Sequence, residues 1–283
     1  MSRPLIAQLQ RDPRHGQIAA VGMLALAGTI WFGFEMPWWR PVAALAGALA
    51  TQWIASRMVR LPFDWRSPTI TALSLTLLLR TQTWELAVLA AAIAISSKFL
   101  LRVGGRHIWN PAALAIVLVT GLRPDAWVST GQWGVGGWIA VFAVGAGLLV
   151  TRRAGRAGVP FMFLAAWAML SLARAAWLGD PWAVPLHQLG SGALLVFAFF
   201  MISDPMTQPW HRGARAAWIV AVAALGFWMQ HSWLVTAGPL WGLALLAPMV
   251  PLLDRFFPAP RKIWVASRLP ELNSLPDQKG ATA

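Results

Sequence analysis

Apolar runs separated by small clusters of arginine make up most of this chain, and that alternation restricts its fold more than any other feature. Ten runs are readable, at about 17–36, 41–56, 67–80, 84–101, 110–122, 137–151, 159–178, 189–203, 214–231 and 236–253. A helix needs about 20 mostly apolar residues to cross the hydrocarbon layer at about 1.5 Å per residue. The runs at 41–56, 67–80 and 110–122 fall short of that, so they borrow flanking residues or form half-helices enclosed by protein. Only 12% of the 283 residues are charged, whereas a soluble domain carries about 25%. Too few charges are present to cover a globule of this size, and lipid is the expected solvent.

The basic residues test the number of runs. If the N-terminus lies inside, the inner segments carry Arg3, Arg11 and Arg14; Arg57, Arg60 and Arg66; Lys98, Arg102 and Arg106; Arg152, Arg153 and Arg156; Arg212 and Arg215; and Arg255, Arg261, Lys262, Arg268 and Lys279. Of the 23 Lys and Arg, only Arg40, Arg80 and Arg123 fall outside, with Arg174 inside a span. An incorrect span number would scramble this alternation, so the positive-inside rule supports ten spans with both ends cytoplasmic. The location this implies is a bacterial inner membrane. Residues 1–16 have no apolar core followed by a small-residue cleavage site, so the first run is expected to serve as the first span.

Other chemistry is excluded by composition. The net charge of +13 sits in loops between apolar runs, which fits membrane orientation and not a nucleic-acid groove. With no Cys, disulfides, thiolate metal sites and Cys-ligated iron–sulfur clusters are out. No metalloprotease, Walker or dinucleotide-binding motif is present, and neither catalytic residues nor metal ligands are assigned. His107 and His187 read as loop residues. Of the 19 Trp, Trp38, Trp39, Trp84, Trp127, Trp133, Trp138, Trp177, Trp182 and Trp233 fall near the expected outer ends, where Trp favours the headgroup level. One or two of them could alternatively stack on a flat cofactor.

The two halves echo each other. TALSLTLLLRTQT leads into a span, a basic loop and Asn110-Pro111; LLVFAFFMISDPMTQP leads into a span, a loop and Gly238-Pro239. Pro suits the first turn of a helix because its missing N–H would be unpaired there anyway. Five spans per half is odd, so the halves must be inverted across the membrane, an arrangement that places broken helices and a binding site near the midplane. The expected fold is therefore all-α: a polytopic membrane protein of about ten transmembrane segments in two inverted five-helix repeats, with short or broken helices near 110–122 and 236–253. Its divisions are a cytoplasmic segment 1–16, repeats 17–122 and 137–253 joined by an outer loop 123–136, and a cytoplasmic tail 254–283.

Two polar clusters interrupt the apolar pattern. The first, SSKFLLRVGGRHIWNPAA, contains Lys98, Arg106, His107 and Asn110. Two glycines allow a tight turn before a helix starting near Asn110, and free N–H groups there beside Lys98 and Arg106 would suit a phosphate or a ring carbonyl. The plainer alternative is a positive-inside loop whose Asn caps a helix. The second cluster is Ser203-Asp204-Pro205-Met206-Thr207-Gln208-Pro209, a turn signal in which Asp204 could accept a ring N–H or ribityl hydroxyl, or pair with Arg212. Arg80, Thr81, Gln82 and Thr83 hold the matching place in the first half. Ionisable residues at membrane depth are functional candidates, and Arg174 joins them unless it snorkels outward.

At these clusters the sequence resembles a known family. GGRHIWNPAA within Lys98–Ala113, and AFFMISDPMTQP at 198–209, are similar to two signatures of the membrane D subunit of Rnf complexes and the B subunit of the sodium-pumping NADH:quinone reductase. The resemblance spans about 17–253. It implies a subunit carrying electrons by flavin across or within the membrane, with ion movement coupled to it in the large complexes, on a fold similar to that of urea and ammonium channels. Whether such a chain is a non-catalytic or a flavin-carrying subunit of a membrane oxidoreductase is left open. The family attaches FMN to the Thr of a Ser-Gly-Ala-Thr motif. The nearest string here is Ser191-Gly192-Ala193-Leu194, and Leu194 has no hydroxyl, so covalent FMN is not expected. A non-covalent flavin, FMN or riboflavin, is expected, with Lys98, Arg106, Asn110, Ser203, Asp204 and Thr207 as its binding residues. The expected partners are the lipid bilayer and redox proteins or other membrane subunits, with no nucleic acid. The competing reading is a channel or transporter for a small solute on the same fold without redox activity. A third is a plain membrane anchor for a redox partner.

Overall fold

The computed structural model describes residues 12–31, 33–130, 137–153 and 155–260. The expectations for residues 1–11, for 131–136 of the outer loop and for the tail from 261 onward lie outside them. In the first half, α1 (Pro13–Trp31), α2 (Trp39–Met58), α3 (Arg66–Leu78), α4 (Trp84–Leu100) and α5 (Pro111–Leu122) follow one another. The second half has α6 (Gly137–Arg153), α7 (Gly158–Leu178), α8 (Ala183–Leu189), α9 (Gly192–Val196), a π-helical continuation Phe197–Met201, α10 (Arg212–Ser232), α11 (Gly238–Leu246) and α12 (Met249–Phe256). Among the described residues, α7 and α10 are long and apolar enough to cross a membrane, and the pair Ala183–Leu189 with Gly192–Met201, bent by 46°, could make a third span.

The helices bury one side and expose apolar residues on the other. On α7, Val159, Phe163, Trp167, Ser171 and Ala175 form a buried stripe at helical spacing, while Phe161, Met169 and Trp177 are exposed. Leu26, Ile30, Ile54, Leu89 and Leu245 are exposed likewise. Water would not tolerate so much apolar surface, whereas lipid does.

Short helices occupy the centre. Pro111 to Val117 of α5, and every residue from Ala193 to Ile202, are buried. Around them α1 packs on α3, α2 on α4 and α4 on α5; in the second half α6 packs on α9, α7 on α10 and α10 on α11. The halves meet where α1 packs on α6 and α5 on α11. Lipid gives no hydrophobic drive between helices, so close backbone approach matters. A Cβ on Gly226 of α10 would stand 2.8 Å from the Gly238 carbonyl oxygen, and one on Gly242 of α11 would stand 2.6 Å from that of Val222.

Several expected elements differ. The first run was expected to continue to 36, but α1 ends at Trp31. The run 236–253 divides into α11 and α12, with prolines at 248 and 251 removing the N–H groups that a continuous helix would use. An additional short helix, α8, precedes the run at 189–203. The all-α expectation needs correction in detail, because two minimal antiparallel pairs occur. β1 (Leu79–Thr81) pairs with β4 (Ala126–Val128), with Leu79 opposite Val128 and Thr81 opposite Ala126. β2 (Arg102–Val103) pairs with β3 (Arg106–His107) through Gly104 and Gly105, at φ 59 and 84. That left-handed pair is where glycine belongs in a two-residue hairpin.

Candidate functional site

The six residues singled out by sequence converge on one locus, at the end of the molecule where the hairpin, the start of α5, the turn after the π-helical segment and α12 meet. Asn110 caps α5: its Oδ1 accepts from Ala113 N at 3.0 Å, and its Nδ2 donates to the Met201 carbonyl at 3.4 Å. Arg106 donates to the Gln208 carbonyl at 2.9 Å, pairs with Asp254, and lies over the Trp210 ring at 4.9 Å. The Ser203 hydroxyl donates to the Phe199 carbonyl. Asp204 accepts from Met206 N at 2.9 Å and stands 3.9 Å from His107 Nε2. Thr207 donates back to the Asp204 carbonyl at 3.3 Å. Lys98, half-buried on α4, donates to Ser67 Oγ at 2.7 Å and feels the charge of Asp204.

Most of these groups are spent on the protein itself, and the long-range bonds of Arg106 and Asn110 join the first half to the second. Trp109, whose Nε1 donates to the Ala244 carbonyl at 2.9 Å, adds another such bond. The alternative pairing of Asp204 with Arg212 does not form; the Asp204 carboxylate is taken up by its own turn and faces His107. Arg174 instead pairs with Asp180 at 3.3 Å.

Trp210 and Asp254 were not anticipated from sequence. Asp254 holds both Arg106 and the Trp210 backbone N–H, the latter at 2.8 Å. Arg156, in the loop before α7, also faces the Trp210 ring at 5.9 Å. Burial, with Arg215 and Arg106 nearby, lowers its guanidinium to about 10. A cavity of about 390 Å³ opens here, lined by Gly104, Gly105, Arg106, Met206, Trp210 and Asp254 among others. Of the six expected residues, Arg106 alone lines it.

A larger cavity, about 560 Å³, lies elsewhere. Ser191, Ala193 and Leu194 form one wall; Gln230 of α10, Thr236 of the turn after it and Pro239 of α11 form another; Leu78 reaches it from the first half and Val128 from the segment joining the halves. Trp167 and Phe197 supply flat aromatic surface, and Thr130, His187 and Gln188 supply polar groups. The Ser-Gly-Ala-Leu string was the only sequence signal for this place. His187, read from sequence as a loop residue, belongs to α8 and lines the cavity.

Residues 125–263 match the model of the NQR2, RnfD, RnfE family. The match takes in the second half, including AFFMISDPMTQP and the larger cavity's Ser191–Leu194 wall, and begins after GGRHIWNPAA. No curated protein matches the chain.

Proposed function

We propose that this chain, whose residues 125–263 match the NQR2, RnfD, RnfE family of membrane subunits of ion-translocating redox complexes, carries electrons across or within the membrane by way of a non-covalently held flavin. The observation that carries this is the cavity beside Ser191–Leu194. Its volume of about 560 Å³ falls within the roughly 300–1,000 Å³ of small-molecule sites. Its walls are mostly apolar with a few hydroxyl and amide groups, which suits a flat ring with a polar edge. Trp167 and Phe197 would face the ring; Gln188, Gln230, Thr130 and Thr236 offer hydrogen bonds to its polar atoms. A flavin bound there would supply reversible one- and two-electron transfer. The protein's part is to exclude water with its apolar walls and to fix the ring's orientation. Leu194 provides wall surface and has no hydroxyl, so a group bound against it is held without a covalent bond to that residue.

Lys98, Arg106, Asn110, Ser203, Asp204 and Thr207 have two possible roles. They either hold a flavin beside the 390 Å³ cavity, as their residue types suggest, or act as a clasp that positions α5 and the π-helical segment. Their mutual bonds favour the clasp. The helix pairings, repeated in order in each half, support two five-helix repeats; the odd number of spans per half supports their inversion, and the basic residues of the inner segments support cytoplasmic ends. The family's assembly into multi-subunit complexes supports redox partners in the membrane.

Acid extraction of flavin from the purified protein tests this. The wild type should release flavin, Leu194→Trp should release little because the indole fills the cavity, and Arg106→Gln should keep it. Loss in Arg106→Gln with retention in Leu194→Trp would move the flavin to the cluster around Arg106. No flavin in any folded form would reject the proposal. A second reading, a small-solute channel, draws on the two short buried helices α5 and α11 packed together. Flux into liposomes no faster than into empty vesicles would remove it.

A further inference from the structure

Two buried arginines lie where α3 runs into β1, with little to offset their charge. Arg40 is 7% exposed and Arg80 5%. A guanidinium has five N–H donors and cannot discard its proton in ordinary conditions. Arg40 donates to the carbonyls of Glu35 at 3.4 Å and Thr81 at 3.3 Å. Arg80 donates to the Thr76 carbonyl at 3.3 Å. No ion pair among the described residues includes either arginine. Arg40 Nε, Arg80 Nη2 and the Thr81 hydroxyl are buried without a hydrogen-bond partner.

These groups share one neighbourhood. Arg40 touches the Thr81 carbonyl, Thr81 follows Arg80, and the guanidiniums are near enough to repel. Glu35 attracts Arg80 but is itself exposed. The backbone is held by the β1–β4 pairing and by Gln82 N donating to the Asp125 carbonyl at 3.1 Å. Two like charges taken out of water and held close together are costly unless an anion joins them. Planar N–H forks match the oxygens of an oxyanion better than a spherical halide, and a hydroxyl can donate to a further oxygen. Arg40 also lies 5.5 Å from the Trp39 ring, and Trp38, Trp84 and Trp127 are exposed at this end, as residues at headgroup level are.

We propose that Arg40, Arg80 and Thr81 form a binding site for a phosphate-type oxyanion, supplied either as soluble phosphate or as a phospholipid headgroup. Neither arginine lines the 560 Å³ cavity, so the site stands apart from the flavin reading and can fail without it.

The test is thermal unfolding of the full chain in an uncharged, phosphate-free detergent. Inorganic phosphate, chloride at equal ionic strength, and phosphatidylglycerol are added separately, and mass spectrometry of the intact protein records retained phospholipid. Ligand binding to the folded state raises the midpoint. Phosphate or phospholipid should raise the wild-type Tm by several degrees over chloride, and Arg40→Gln and Arg80→Gln should lose that response. A response to inorganic phosphate identifies a soluble oxyanion; a response to phospholipid alone identifies the headgroup. If the Gln variants do not fold, Thr81→Val and Arg80→Lys should fold and respond more weakly than wild type. Equal midpoints in all three additions, or variants responding as wild type does, would overturn the proposal and leave only buried water at these atoms.

Discussion

Asn110 shows how one side chain can join two halves of a chain. Its oxygen caps α5 and its nitrogen reaches the Met201 carbonyl. Asn110→Ala removes both bonds and should cost ~1–2 kcal/mol, the upper part of the range for a lost N-cap, read as a lower midpoint in denaturant. Near the N-terminus, Asp12 accepts from Arg14 N at 3.0 Å and from the side chains of Arg14 and Arg66, while Asp64 engages the same two arginines. Burial pushes the Asp12 carboxyl upward, but the bonds from Arg14 and Arg66 outweigh it and hold the group well below its ordinary 3.8. A carboxyl whose folded value is depressed stabilises the fold fully above its unfolded value, and that contribution is lost as pH falls through the folded one. The stability gap between wild type and Asp12→Asn should therefore be constant near neutrality and shrink as pH falls below 3.8. A gap unchanged in acid would contradict the assignment. Residue types alone made Arg106 and Asn110 legible, since an ionisable or capping residue beside an apolar run stands out. Asp254 did not stand out: it lies 148 positions from Arg106 and 44 from Trp210, and no local pattern connects residues so far apart.

Among the elements, α10 and α11 depend most on absent side chains. Gly226, Gly238 and Gly242 let the two backbones touch, and a methyl at Gly242 would meet the Val222 carbonyl oxygen at 2.6 Å. Gly242→Ala should cost ~1–3 kcal/mol, as overpacking does. Gly22→Ala in α1, where nothing lies within 4 Å, should be neutral or slightly stabilising because alanine favours helix. Equal effects at the two positions, by unfolding in detergent, would refute close approach as the cause. The tight turn at Gly104–Gly105 was legible, because consecutive glycines permit positive φ twice; the two-residue strands on either side of it were not. The division of 236–253 was only half legible: Pro248 and Pro251 forbid a regular helix, but apolarity continues across them, and hydropathy averages over the break. The larger cavity was legible only at Ser191–Leu194, because its other walls come from separate segments that tertiary packing alone brings together.

For the whole molecule, composition and charge placement carried the most information. A chain this apolar must meet lipid, and the exposed faces of α7 and α10 agree with that. The absence of Cys makes orientation directly measurable. A membrane-impermeant thiol reagent should label Thr130→Cys in intact cells and Arg255→Cys only after permeabilisation; the reverse would invert the topology. The central claim is that the protein carries electrons through a flavin bound without a covalent link. The most direct measurement is the visible spectrum of the purified protein during stepwise reduction and reoxidation. A flavin band should bleach on reduction, return on reoxidation, and pass wholly into the supernatant after acid precipitation. A colourless protein with no flavin in that supernatant would contradict it.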